Sequence, residues 1–116
     1  AQANCTYCSF CRYRLAPEHK FPVPLEDCYA AAKALYTNQL ILNTDPEKIT
    51  IIGDSAGGNL TAAVCLMARD KGEFTPRRQI LIYPALGNCY TEESPYRSVQ
   101  ENGCDYLLTS VKWKII

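Results

Sequence analysis

Histidine is nearly absent from this 116-residue chain, where His19 is the only one. Chemistry that needs an imidazole base late in the chain has none to draw on. An excess of either charge is also missing: twelve basic residues balance twelve acidic ones. No positive field is left over to hold nucleic acid or an anionic membrane surface. No apolar run approaches the ~20 residues that span a bilayer. The first ten residues, AQANCTYCSF, lack the basic segment and apolar stretch of a signal peptide. The expectation is a soluble cytoplasmic protein with no membrane span and no nucleic-acid partner. Internal repeats and low-complexity tracts are absent too.

What is present is ordinary globular material, 47% hydrophobic and 21% charged. The length suits one domain or part of one. Seven cysteines, an odd number, are scattered among segments with strand and helix patterns of their own. A disulfide framework is therefore not needed, and the cysteines read as reduced thiols.

Along the chain, NCTYCSFCRY (4 to 13) is compatible with a buried strand although it alternates poorly. The three prolines of RLAPEHKFPVP favour an extended surface segment. LEDCYAAAKALYTNQLIL (25 to 42) then carries Leu25, Cys28, Tyr29, Ala32, Leu35 and Tyr36 at helical spacing. After the Asp45-Pro46 turn, Ile49, Ile51 and Ile52 form a short apolar run ending at Gly53, as in a buried parallel strand. Leu60, Ala63, Val64 and Met67 predict a helix from Gly57 to about Lys71, stopped by Gly72. QILIYPAL reads as another buried strand. This alternation predicts an α/β fold: part of a doubly wound parallel sheet, about three strands with flanking helices. Beyond Pro84 the pattern dissolves into polar, turn-rich sequence.

The densest signal is TIIGDSAGGNL (50 to 60), which holds three of the six glycines. Gly53-Asp54-Ser55-Ala56-Gly57 matches G-x-S-x-G between an expected strand and an expected helix, the context that motif requires. A turn this sharp leaves no room for side chains two positions either side of the serine, hence Gly53 and Gly57, and an extra glycine, Gly58, follows them in the corner. It also aims the Ser55 hydroxyl outward at the carboxyl end of the sheet, where open α/β sheets bind ligands. Ser55 is the expected nucleophile and the Ala56 amide the expected donor to an oxyanion. The plainer reading makes Ser55 an N-cap of the helix.

Together, YRLAPE (13 to 18), Phe21-Pro22, the helix bearing Asp27, GDSAGGNL and LIYP resemble the hormone-sensitive-lipase-like, or arylacetamide-deacetylase-like, esterases of the α/β-hydrolase fold. The match is strong over residues 13 to 86. It extends weakly through ENGCDYLLTS, which resembles the segment leading into that family's cap. The resemblance implies residues 1 to 116 as a single, incomplete α/β-hydrolase domain, with 87 to 116 beginning a cap-like region. It implies a serine carboxylesterase acting on small acyl esters through an acyl-enzyme, with no cofactor. It also implies that Asp54 fixes the turn and that Glu18 anchors its loop through hydrogen bonds. For Asn59, starting the helix is favoured over entering the site, and for Tyr83 a packed core position over an acyl pocket.

The family's triad runs in the order Ser, then Asp or Glu, then His, and no histidine follows Ser55. His19 stands in APEHKFP, a structural stretch in the family. Asp70, Glu73, Glu92, Glu93, Glu101 and Asp105 read most simply as solvated surface charges. The triad acid and base are thus expected outside the chain, and so is the His-Gly-Gly-Gly oxyanion loop. The reading is an internal fragment with little triad catalysis of its own. Two alternatives stay open: an inactive binding module, and a metal or redox module built on Cys5, Cys8 and Cys11. That triplet lacks the fourth cysteine of an iron–sulfur run and the second pair of a zinc site, so no metal is assigned. A homodimer is compatible with these features.

Overall fold

The computed structural model describes residues 8–38, 44–87 and 93–102. They form helix α1 (Val23–Tyr36), a single 3-10 turn (Pro46–Lys48), strand β1 (Thr50–Asp54), helix α2 (Ala56–Lys71), strand β2 (Arg78–Ile82) and helix α3 (Arg97–Asn102). The chain divides into two compact units, Ala1–Ala85 and Leu86–Ile116.

In the first unit, β1 and β2 pair in parallel from Thr50 opposite Arg78 to Asp54 opposite Ile82. A parallel pair needs a crossover, and α2 supplies it. The expected α/β architecture is therefore present, with two strands rather than three among the described residues. The stretch 8–15 joins no ladder, and the rest of the expected first strand lies outside the described residues. The poor alternation of that stretch offers no apolar face to dock, and Phe10 stands 93% exposed.

One face of the sheet is covered by helix. Gly58, Thr61, Val64 and Ala68 recur every three or four residues on α2 and are its buried positions. Val64 and Ala68 join Tyr29 and Tyr36 of α1 and Phe74 in the core, with Ile49, Ile51 and Met67 packed against it. Burying side chains the size of Val64 or Phe74 contributes roughly 1.5–3 kcal/mol each. The Tyr36 ring stacks on Phe74 at 4.9 Å, and Tyr29 meets it tilted at 5.3 Å. On the opposite face, Ile52 is 57% and Ile80 49% exposed. The strands are thus half-buried, not fully buried as the apolar runs imply, because α1 and α2 cover one side only.

Helix α1 starts two residues earlier than its periodicity predicts, taking Pro24 into its first turn. Proline is tolerated there because the amide it lacks would have no partner in that turn. The helix stops at Tyr36, where Thr37 donates its N–H to the Lys33 carbonyl and Asn38 turns left-handed at φ 54°. Of the longer helix expected to residue 42, 39–43 lie outside the described residues. Helix α2 ends as expected, with Gly72 at φ 66° donating to the Ala68 carbonyl.

Glu73 is exposed, in keeping with its reading as a surface charge, but it has partners on α1. It accepts from the Tyr29 hydroxyl at 2.5 Å and from Lys33 Nζ at 2.8 Å. Lys33 and Tyr29 hold its carboxyl below the usual range, while burial and the Glu73 contact push the Tyr29 phenol up to about 12. In the second unit, α3 occupies sequence expected to be irregular. The Tyr96 N–H donates to Ser94 Oγ at 3.3 Å, Gln100 Nε2 to the Ser94 carbonyl, and Arg97 pairs with Glu101 one turn on.

Candidate active site

Ser55 is the single residue between the last ladder position of β1 and the first turn of α2, so it makes the whole change of direction. Its backbone sits at φ 50°, ψ −116°. A non-glycine residue held at positive φ stores on the order of 1–3 kcal/mol, which its surroundings must offset. Three bonds do so. The Ser55 N–H continues the ladder to the Ile82 carbonyl at 3.0 Å, and the Ser55 carbonyl accepts from Asn59 N–H at 3.1 Å and Ala85 N–H at 3.4 Å.

The half-buried Ser55 occupies the N-cap position, yet its side chain makes no capping hydrogen bond. The plainer reading of the serine as a side-chain cap therefore fails. Ala56 is the first helical residue, and an N–H at that position has no carbonyl partner within the helix. With the partial positive charge of the helix start, it is the kind of donor an oxyanion accepts.

The glycines divide by function. A Cβ on Gly53 would collide with the Gly57 carbonyl and lie 2.6 Å from Thr61 Oγ1. On Gly58 it would lie 2.9 Å from Pro84 Cβ and 3.2 Å from the Gly53 carbonyl. On Gly57 it would meet only Asp54 Oδ1 at an ordinary 3.7 Å. The steric demand thus falls on Gly53 and Gly58, where α2 crosses β1 and the end of β2. At Gly57 it is the backbone, not a missing side chain, that crowds Gly53.

Asp54 accepts from the Tyr83 hydroxyl at 3.4 Å. Tyr83, expected in the core, is 72% exposed and bends at φ 36° as the chain leaves β2. Asn59 does more than start the helix. Its Nδ2 donates to the Ala85 carbonyl at 2.7 Å, tying the first turn of α2 to the segment after β2. The sequence signal for this was slight, an amide one turn into a helix. Burial raises the Tyr13 phenol above its usual value, with Cys28, Asp54 and Cys11 adding to the rise.

The loop around YRLAPE is anchored by Arg14 and not, as the resemblance implies, by Glu18, whose side chain makes no hydrogen bond among the described residues. The Arg14 N–H and guanidinium reach the Asp27 carboxylate at 2.6–3.1 Å. These bonds hold the Asp27 carboxyl down at about 2. His19 belongs to the adjacent turn, its N–H donating to the Leu15 carbonyl, and no hydrogen bond joins it to Ser55. Cys8 and Cys11 are exposed, Cys28 and Cys65 half-buried, and all four are free thiols. Cys5 lies outside the described residues, among which no three acidic, cysteine or histidine side chains cluster to hold a metal. No helix among them is long and apolar enough to cross a membrane.

The alpha/beta hydrolase fold family matches residues 1–116. The carboxylesterase NlhH of Mycobacterium tuberculosis is 44% identical over 72 residues, covering 62% of this chain and 23% of that protein. Arylacetamide deacetylase of Oryctolagus cuniculus is 42% identical over 89 residues, covering 73% and 22%. Among solved structures, the hyperthermophilic esterase from the archaeon Pyrobaculum calidifontis superposes with a TM-score of 0.75 at 47% identity, covering 88% of this chain and 32% of that one. The chain thus spans about a third or less of the length of these relatives. Matched from end to end by the family and sharing its fold with that esterase, the chain belongs to the α/β-hydrolase fold family, in its hormone-sensitive-lipase-like branch.

Proposed function

We propose that the chain carries the nucleophile of a serine-dependent carboxylic ester hydrolase. Ser55 Oγ attacks the ester carbonyl of a small-molecule substrate, the Ala56 N–H receives the negative charge on the carbonyl oxygen, and the alcohol leaves. Water then releases the acid from Ser55. Gly53, Asp54, Gly57 and Gly58 build the corner that presents the hydroxyl. The proton from Oγ needs a base that an acid orients, and both lie outside residues 1 to 116. Residues 1 to 116 form one incomplete hydrolase domain, with 87 to 116 opening a cap-like region. No cofactor takes part, and the protein works in the cytoplasm.

The observation that carries this reading is the positive φ of Ser55 together with a hydroxyl that does not cap its helix. A serine whose task was to start α2 would relax to an extended backbone and bond the N2 or N3 amide. The test is p-nitrophenyl acetate hydrolysis by a protein in which residues 1 to 116 continue into a downstream acid and histidine. Ser55→Ala is expected to abolish turnover. Unchanged turnover would remove Ser55 from the mechanism.

A further inference from the structure

The cysteines are not part of the chemistry just described, and two of them meet. Cys11 Sγ lies 3.9 Å from Cys28 Sγ, although 17 residues separate them. Cys11 is an exposed residue of the stretch 8–15, which has no helix or strand of its own, and Cys28 belongs to the second turn of α1. An independent contact sets the same alignment. Three residues beyond Cys11, the Arg14 N–H and guanidinium grip the carboxylate of Asp27, the neighbour of Cys28. The stretch is thus laid across α1 in one register, with sulfur facing sulfur beside the ion pair.

We propose that Cys11 and Cys28 form an oxidisable dithiol whose reaction partner is a small-molecule disulfide of the glutathione type. A disulfide needs its sulfurs at about 2.05 Å, so the pair must close by about 2 Å. The irregular stretch can supply that movement without breaking a ladder. Exposed Cys11 is the entry point. Its sulfur attacks one sulfur of the glutathione disulfide, the S–S bond breaks, and one glutathione leaves as thiolate and takes up the proton. The Cys28 thiol then gives its proton to solvent and its sulfur attacks Cys11 in the mixed disulfide, expelling the second glutathione. Two protein thiols lose two electrons and one glutathione disulfide becomes two thiols. Burial, and after it the neighbouring Cys11, push the Cys28 thiol up to about 12, which disfavours it as the first attacker. The product would fasten the stretch to α1 covalently beside its ion pair. Exposed Cys8, bonded to no other thiol among the described residues, has no such partner.

The test uses the whole 116-residue chain in glutathione buffers from reducing to oxidising, followed by tryptic mapping without reductant. The expected product links residues 1 to 12 to residues 21 to 33, two hydrogens lighter than the sum of the two peptides. It should vanish in Cys11→Ser and in Cys28→Ser and persist in Cys8→Ser. It should form at least about tenfold faster in the native chain than in urea, because folding raises the effective concentration of one thiol at the other. A link that survives Cys11→Ser, or that forms no faster than in urea, would overturn the proposal. So would stoichiometric zinc retained by the reduced chain and lost in Cys28→Ser, which would make the pair metal ligands. None of these outcomes depends on whether Ser55 is a nucleophile.

Discussion

At the Ser55 corner there is no room for a methyl group on Gly53 or Gly58. On the stretch 8–15, Phe10 is 93% exposed and an ion pair does the fastening. Both regions belong to the same unit and both rest against helices. The corner is shaped by exclusion, since backbone passes so close to backbone that the sequence has few alternatives there. The stretch is shaped by attachment, through Arg14 to Asp27. Exclusion leaves a trace in a single sequence and attachment leaves almost none.

The contrast is sharpest at Gly53. Gly53→Ala should destabilise the fold by about 3 kcal/mol or more, because the new methyl group meets the Gly57 carbonyl, which cannot step aside. Urea denaturation of the two chains measures it. A loss under ~1 kcal/mol would mean that α2 does not cross β1 so closely. Next comes the tether that Asn59 makes to Ala85. Asn59→Ala should cost roughly 0.5–1.5 kcal/mol, the net worth of one hydrogen bond, in the same denaturation series.

The stretch should respond to acid where the corner does not. Asp27 titrates at about 2 in the folded chain, below the ordinary range near 4 that it takes when unfolded. Its contribution to stability is therefore present above pH ~4 and lost as the pH falls from there toward ~2. The pair is exposed and screened, so the change should be small and weaken with salt. Comparing the urea midpoint at pH 6 and pH 3 in the parent chain and in Asp27→Asn isolates it. An identical pH response in both would show that Arg14 does not grip Asp27. Gly57→Ala should change least, within ~1 kcal/mol and toward greater stability. Its methyl group meets nothing closer than 3.7 Å, and alanine suits a helix better than glycine. A loss as large as that of Gly53→Ala would erase the distinction between the two glycines.

The same contrast explains what the sequence made legible. Gly53, Ser55 and Gly58 announce the corner because close approach leaves so few residue types that fit, and Gly72 announces the end of α2 because its backbone turns left-handed. The parallel pairing of β1 with β2 followed from two apolar runs joined by a helical pattern. Other features depend on partners distant in sequence. Asn59 is defined by the Ala85 carbonyl, Tyr83 by a bend outside β2, and Glu73 by Tyr29 and Lys33 on α1. Helix α3 was hidden because its supports are a serine and an ion pair rather than an apolar stripe. The half-exposed sheet was unreadable from composition, since an isoleucine looks the same whether or not something covers it.

The corner is proposed to present the Ser55 hydroxyl for attack on a carbonyl. The most direct test is the site of adduct formation with a fluorophosphonate probe, read by peptide mass in a protein in which residues 1 to 116 are joined to a candidate acid and histidine. The adduct should sit on Ser55 alone and disappear in Ser55→Ala. Labelling that persists in Ser55→Ala, or that maps to another residue, would contradict the account.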